Sequence, residues 1–163
     1  MVSKKGIALT AGIAAGVIAA SFLVWFLPQN NSGMAGSTAV STYNTILSDI
    51  YSQHTALVSN VTSQFDKWKN GTLSSDDMNA TISSAKTQVQ SLLQRIANAN
   101  PPPEWQQSYD SYAKSLQSFS SYLDAMQKRV QLNDKTGSDS ELNALKSQSD
   151  NYIDQAVSKW PTS

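Results

Sequence analysis

The chain has 163 residues, a length that suits one domain of ordinary size together with a membrane anchor. Twelve Lys and Arg balance twelve Asp and Glu, so no basic excess is available to neutralise phosphates, and we expect no nucleic-acid partner. Cysteine is absent, which excludes disulfides, thiolate metal sites and a cysteine nucleophile. A fold of this composition has to be held together by packing alone.

An uncharged apolar run occupies residues 7 to 27. At about 1.5 Å per residue, a helix of this length spans the roughly 30 Å hydrocarbon core of a bilayer. Lys4 and Lys5 precede the run, so the positive-inside rule keeps residues 1 to 6 in the cytoplasm and sends the rest of the chain out. The sequence therefore predicts a single-pass protein of the cell membrane with an extracytoplasmic C-terminal domain.

A cleaved signal peptide is the alternative interpretation of this run. Such peptides have an apolar core of about 7 to 15 residues, followed closely by a small-x-small cleavage site. Gly33-Met34-Ala35 fits that site, but it lies well past Leu27 and follows a longer apolar run. The lengths favour an uncleaved anchor over release of the domain.

Small side chains recur every four residues in the predicted anchor, at Ala8, Gly12, Gly16 and Ala20. This spacing puts them in one stripe, where another transmembrane helix of a hetero-complex or homo-oligomer can approach closely. The alternative is that a span rich in Ala and Gly produces the spacing by chance.

Residues 28 to 38 form a polar linker, and residues 39 to 160 carry four segments with the apolar period of an amphipathic helix. The segments cover about 39–70, 75–99, 103–132 and 139–160, and Gly71 is a C-terminal signal for the first. The apolar stripe of the first segment is Val40, Tyr43, Leu47, Ile50, His54, Leu57, Val61, Phe65 and Trp68, and that of the second is Met78, Ile82, Ala85, Val89, Leu92 and Ile96. The stripe of the third segment is Trp105, Tyr109, Tyr112, Leu116, Phe119, Leu123, Met126 and Val130. The stripe of the fourth segment is Leu142, Leu145, Tyr152, Ile153, Ala156 and Trp160.

Capping and breaking residues delimit these segments. Ser74 and Asp77 have the spacing of a capping box, and so do Ser138 and Glu141. The prolines at 101–103 end the second segment and open the third. Short connections favour antiparallel neighbours, so we predict an all-α fold in which an antiparallel four-helix bundle follows the anchor. An elongated pair of helical hairpins is the architectural alternative.

Few residues suit catalysis or metal binding. His54 is the only histidine, and Glu104 and Glu141 are the only glutamates, which excludes the paired Glu-x-x-His motifs of di-iron bundles. No nucleophile-elbow motif occurs. We predict no enzymatic activity, no cofactor and no metal. Because His54 falls on an apolar stripe, a hydrogen-bonded core residue is favoured over a pH sensor or a ligand-binding residue.

Two other groups of residues have a structural explanation beside a functional one. Asp76 and Asp77 resemble a cation site, but they fall in the first turn of a helix, where carboxylates meet the helix dipole favourably. Aromatic side chains that could stack bases or sugars mostly follow the buried stripe. They are Trp105, Tyr109, Tyr112, Phe119 and Tyr122.

Asn-x-Ser/Thr sequons occur at Asn30, Asn60, Asn70 and Asn79. On the predicted outer side of the membrane these are acceptors for N-glycosylation. Asn70 lies in a predicted turn and is the favoured acceptor, whereas Asn60 lies beside the apolar stripe. A chain with this much Asn, Ser and Thr also produces such sequons by chance.

Two stretches carry a resemblance, namely SFLVWFLPQ at residues 21–29 and PPEWQQSY at residues 102–109. Together they resemble a family of uncharacterised single-span helical membrane proteins of ammonia-oxidising archaea. The resemblance implies an archaeal cell membrane with the bundle facing outward, and it supplies no active-site residues.

Three functions are compatible with this organisation. The favoured one is a non-catalytic structural or accessory subunit of a membrane protein complex, and the family context implies the archaeal ammonia monooxygenase as a candidate host. A ligand-binding or sensory bundle is the second, although only six residues precede the span to pass a signal inward. A secreted bundle, released by signal peptidase, is the third.

Overall fold

The computed structural model describes the backbone of residues 38–161 and the side chains from residue 42 onward. This part of the chain contains four α-helices and no strand, which confirms the all-α prediction. Each helix begins and ends within two residues of its predicted limits. The helices are α1 (Thr38–Lys69), α2 (Ser75–Asn98), α3 (Pro103–Gln131) and α4 (Ser140–Ser158). The predicted tail and anchor, and the linker up to residue 37, lie outside the described residues.

Helices α1 and α2 run antiparallel. At one end the Tyr43 hydroxyl donates to the carbonyl of Asn100, just past α2, at 3.3 Å. At the other end the Trp68 indole N–H donates to the Ser75 hydroxyl at 3.0 Å. We call the end at Tyr43 the base of the bundle, and the end formed by the α1–α2 turn and the α3–α4 loop the tip.

Helices α3 and α4 continue this antiparallel arrangement. Between α2 and α3, Lys86 Nζ lies 2.5 Å from Asp124 Oδ1. Between α3 and α4, the rings of Trp105 and Trp160 lie 6.4 Å apart at the base. The bundle therefore has up-down-up-down order, and α3 packs against all three other helices.

The core confirms the predicted stripes of the first three helices. Every stripe residue of α2 and of α3 is buried, and so is every one of α1 from Leu47 onward. Helix α4 differs, because only Leu142, Ser149 and Ala156 are buried, at intervals of seven residues. The rest of its predicted stripe is half-buried, because α4 packs mainly on α3 and has few contacts with the other two helices.

Two helices end in the same hydrogen-bond pattern. At the end of α1 the Gly71 N–H donates to the Trp68 carbonyl at 3.0 Å, and the next N–H donates to the Lys67 carbonyl at 2.9 Å. This is a Schellman motif, and Gly71 occupies its left-handed position with φ of 75°. Asn133, with φ of 50°, takes the same place after α3. The predicted glycine signal is therefore confirmed, and Asn133 is its asparagine counterpart.

Of the two predicted capping boxes, the one at α2 forms its N-cap bond. The Ser74 hydroxyl accepts the Asp77 N–H at 3.0 Å and caps α2, as predicted. The prediction for α4 was wrong, because Ser138 lies one residue too early and Asp139 takes the N-cap position. The Asp139 carboxylate makes no cap bond, since it is bonded to Arg129 and a neighbouring lysine.

Candidate functional site

The polar centre of the core is His54, on the inner face of α1. Its side chain is fully buried, and its Nδ1 lies 3.2 Å from the Tyr112 hydroxyl of α3. The imidazole also packs against the Phe119 ring, with 4.9 Å between ring centroids. The structure thus confirms the interpretation of His54 as a hydrogen-bonded core residue.

Burial determines the charge of this histidine. Loss of water lowers the pKa of His54 to about 4, while Asp150 of α4 raises it and Lys146 of α4 lowers it further, both more weakly. Burial also raises the pKa of Tyr112. Both groups are therefore neutral near pH 7, and His54 Nε2 has no hydrogen-bond partner among the described residues. A ring without solvent contact cannot receive a substrate unless the bundle opens.

The α3–α4 interface is a seam of small polar side chains that the apolar stripes did not predict. On α3, Ser108, Ser111, Ser115 and Ser118 are buried at alternating three- and four-residue steps. The Ser149 hydroxyl of α4 donates to the Ser115 carbonyl at 3.0 Å. Small side chains let helices approach closely, and this is the most extensive helix pair of the bundle.

A cleft of about 610 Å³ opens between α2 and α3 near the base. Ala97 of α2 and Ala113 of α3 contribute the smallest side chains of its lining. Asp110 is the only charged residue of the lining, which otherwise offers apolar contacts and neutral hydrogen-bonding groups. Such a surface suits a ligand that binds mainly through apolar contacts. The lining residues are Leu93, Ile96, Ala97, Asn100, Pro101, Gln106, Tyr109, Asp110, Ala113 and Gln117.

The tip is tied together by one carboxylate. Asp139 bonds Lys69 of α1 at 2.9 Å and also pairs with Arg129 of α3. The hydrogen bonds from Lys69 and Arg129 lower the pKa of Asp139, and the same contact with Asp139 raises the pKa of Lys69. Arg129 further donates to the Asp134 and Gly137 carbonyls of the α3–α4 loop. The network fixes α1, α3 and the loop to one another.

The structure separates the predicted modification sites. Asn70 is exposed in the turn after α1, whereas Asn60 and Asn79 are half-buried within helices. The other predicted site residues lie outside the described part of the chain. They are Ala8, Gly12, Gly16, Ala20 and Asn30.

The other residues considered for ligand or metal binding have structural roles instead. Asp76 and Asp77 lie in the first turn of α2, and Asp77 belongs to its cap. The five aromatic residues singled out on α3 are all buried, which confirms core packing. Within residues 38–161, no three His, Asp or Glu side chains lie close enough together to hold a metal ion.

Comparison with known protein families, with characterised proteins and with solved structures finds no match to this chain. The resemblance to the archaeal family therefore stays a prediction. In the described residues, no helix combines the length and the apolarity that crossing a membrane requires.

Proposed function

We propose that this protein is a membrane-anchored, non-catalytic helical bundle that serves outside the cytoplasm as a structural or accessory subunit of a membrane protein complex. The observation that carries the proposal is the uncharged apolar run at residues 7–27, which precedes the bundle by a short linker. Lys4 and Lys5 before that run support an outward orientation of the bundle.

The interior of the bundle supports a structural role. Its one histidine is sealed from solvent, its serine seam is internal, and the Asp139 network closes the tip. Polar groups used in this way specify how helices pack, and they leave little free for chemistry on a substrate. A closed body of this kind suits a subunit that covers the outer side of a larger assembly.

In the proposed assembly, the anchor docks on other transmembrane helices through Ala8, Gly12, Gly16 and Ala20. The resemblance to proteins of ammonia-oxidising archaea suggests the ammonia monooxygenase complex as host. Identification of the proteins that co-purify from native membranes tests that host directly.

Mild-detergent extraction followed by native electrophoresis tests the subunit role. Gly12→Leu combined with Gly16→Leu fills the small-residue stripe, and we expect it to abolish migration in a large complex. Ala14→Leu combined with Ile18→Leu is the matched control, because helical spacing puts these positions on the opposite side of the predicted anchor. Migration of the unaltered protein only as a small monomer or homodimer would contradict the proposal.

The α2–α3 cleft favours a second candidate function, a ligand-binding bundle. Its volume of about 610 Å³ is within the range of small-molecule sites. This function predicts that a small molecule co-purifies with the protein, and that Ala113→Phe, which fills the cleft, releases it. Mass spectrometry of the purified protein under native conditions distinguishes the two functions.

A further inference from the structure

Three of the four sequons lie in the described part of the chain, and each ends in Thr: Asn60-Val61-Thr62, Asn70-Gly71-Thr72 and Asn79-Ala80-Thr81. Their sequences are equivalent acceptors, so sequence alone does not separate them. Their surroundings differ, because two lie inside helices and one lies in a turn.

The sequon at Asn60 is held within α1. Side chains two residues apart in a helix point in nearly opposite directions, so Asn60 and Thr62 do not face each other. Asn60 is half-buried, and the Thr62 hydroxyl lies 3.5 Å from the Tyr122 hydroxyl of α3. Use of this sequon would require α1 to unwind at a point where it packs on its neighbour.

The sequon at Asn79 is held in the same way within α2. Asn79 is half-buried, and its Oδ1 has no solvent contact, so one face of the amide lies against protein. The Thr81 hydroxyl donates to the Asp77 carbonyl at 2.9 Å, one helical turn back. Use of this sequon would require α2 to unwind, because Asn79 and Thr81 point in nearly opposite directions from the helix.

The sequon at Asn70 differs in lying outside the helix body. Its Thr72 hydroxyl also donates to a backbone carbonyl, that of Lys67 at 3.0 Å, but this contact is exposed. Asn70 is exposed and lies in the turn that follows α1. Gly71 follows with φ of 75° and turns the chain out of the helix. The Asn70 side chain thus stands at the tip, at the opposite end from the α2–α3 cleft.

We infer that Asn70 carries an N-linked glycan, an inference that rests on the proposed export of the bundle. The sugar donor is an oligosaccharide activated as a polyprenyl phosphate ester. Asn70 Nδ2 forms a bond to the anomeric carbon, and the bond from that carbon to the phosphate oxygen breaks. The phosphate leaves with the bonding electron pair, and Nδ2 gives one proton to a base of the transferase.

The position of this glycan indicates which surfaces of the bundle can bind a partner. A glycan is bulky and strongly hydrated, and it blocks close contact with another protein. The tip therefore faces solvent, and a partner of the bundle docks on its sides or base, where the cleft lies.

The test expresses the full-length chain in a host whose exported proteins carry N-glycans, and it measures intact mass before and after deglycosylation. With Asn30→Gln in every chain, so that this sequon cannot contribute, we expect a glycan on the chain that keeps Asn70, its loss in Asn70→Gln and Thr72→Ala, and its retention in Thr72→Ser. Asn60→Gln and Asn79→Gln are matched controls that should keep the glycan. Thr136→Asn is a positive control, because it creates Asn-Gly-Ser in the exposed α3–α4 loop at the same tip.

The outcomes separate this inference from the proposed export. If Thr136→Asn acquires a glycan while Asn70 stays unmodified, the bundle is exported and the inference about Asn70 is overturned. A glycan on Asn60 or Asn79 in place of Asn70 also overturns it. If no chain acquires a glycan, Thr136→Asn included, the tip does not reach the glycosylating compartment, and the export fails together with the inference.

Discussion

Acidification should destabilise the bundle through His54. In the folded protein the pKa of His54 is about 4, against an ordinary value of 6.5. Because the unfolded chain binds the proton more readily, the free energy of unfolding is highest above pH 6.5 and falls until the folded histidine also protonates near pH 4. At 1.36 kcal/mol for each pKa unit, the full loss is about 3 kcal/mol, of which about 2 kcal/mol is reached by pH 5.

Urea unfolding of the full-length protein in a nonionic detergent, at several pH values from 7 to 5, measures this loss. His54→Gln cannot be protonated in this range, so its free energy of unfolding should stay nearly constant. Asp139, whose hydrogen bonds to Lys69 and Arg129 lower its pKa, loses its contribution only at more acidic pH. A flat curve for the unaltered protein, or an equal decline in His54→Gln, would refute the reasoning.

Substitutions at Gly71, Asn133 and Ser149 test the helix ends and the serine seam by urea unfolding. Gly71→Ala forces a Cβ into left-handed backbone and should cost about 1 to 2 kcal/mol, with Gly71→Asn costing less; equal costs would contradict the conformational explanation. Asn133→Gly relieves the same conformation and should stabilise the protein by about 0.5 to 1 kcal/mol, whereas a loss would show that the Asn133 side chain contributes there. Ser149→Leu overfills the seam and breaks the bond to Ser115, so it should cost about 1 to 3 kcal/mol. The exposed Ser147→Leu should change stability by less than about 0.5 kcal/mol, and a similar loss in both would argue against close packing at Ser149.

Helices α2 and α3 show what could be predicted from the sequence. Their apolar residues recur with the helical period, and large side chains at such positions have no stable alternative to burial. The ends of these helices were also predictable, because prolines 101–103 and the Ser74 cap act through local backbone geometry.

The α3–α4 seam shows what could not be predicted. Ser115 and Ser149 have no apolar character, and only the close approach of two helices decides that they are buried. The heptad spacing of the four serines on α3 was the available signal. The N-cap of α4 was missed for a related reason, since Asp139 is recruited by Arg129 and Lys69, which are distant in sequence or on another helix.

The α2–α3 cleft could not be predicted from the sequence either. It depends on how far apart α2 and α3 lie near the base, which no local pattern specifies. The burial of His54 was predictable from its stripe, but its bond to Tyr112 depends on the rotation of α1 against α3.

Alkaline carbonate extraction of membranes, with intact-mass measurement of the protein in each fraction, tests the anchor most directly. If residues 7–27 are embedded in lipid, the chain stays in the membrane pellet with its N-terminus intact. Recovery of the full-length chain in the carbonate supernatant, or of a chain that starts near Gly36, would contradict the anchored bundle proposed for this protein.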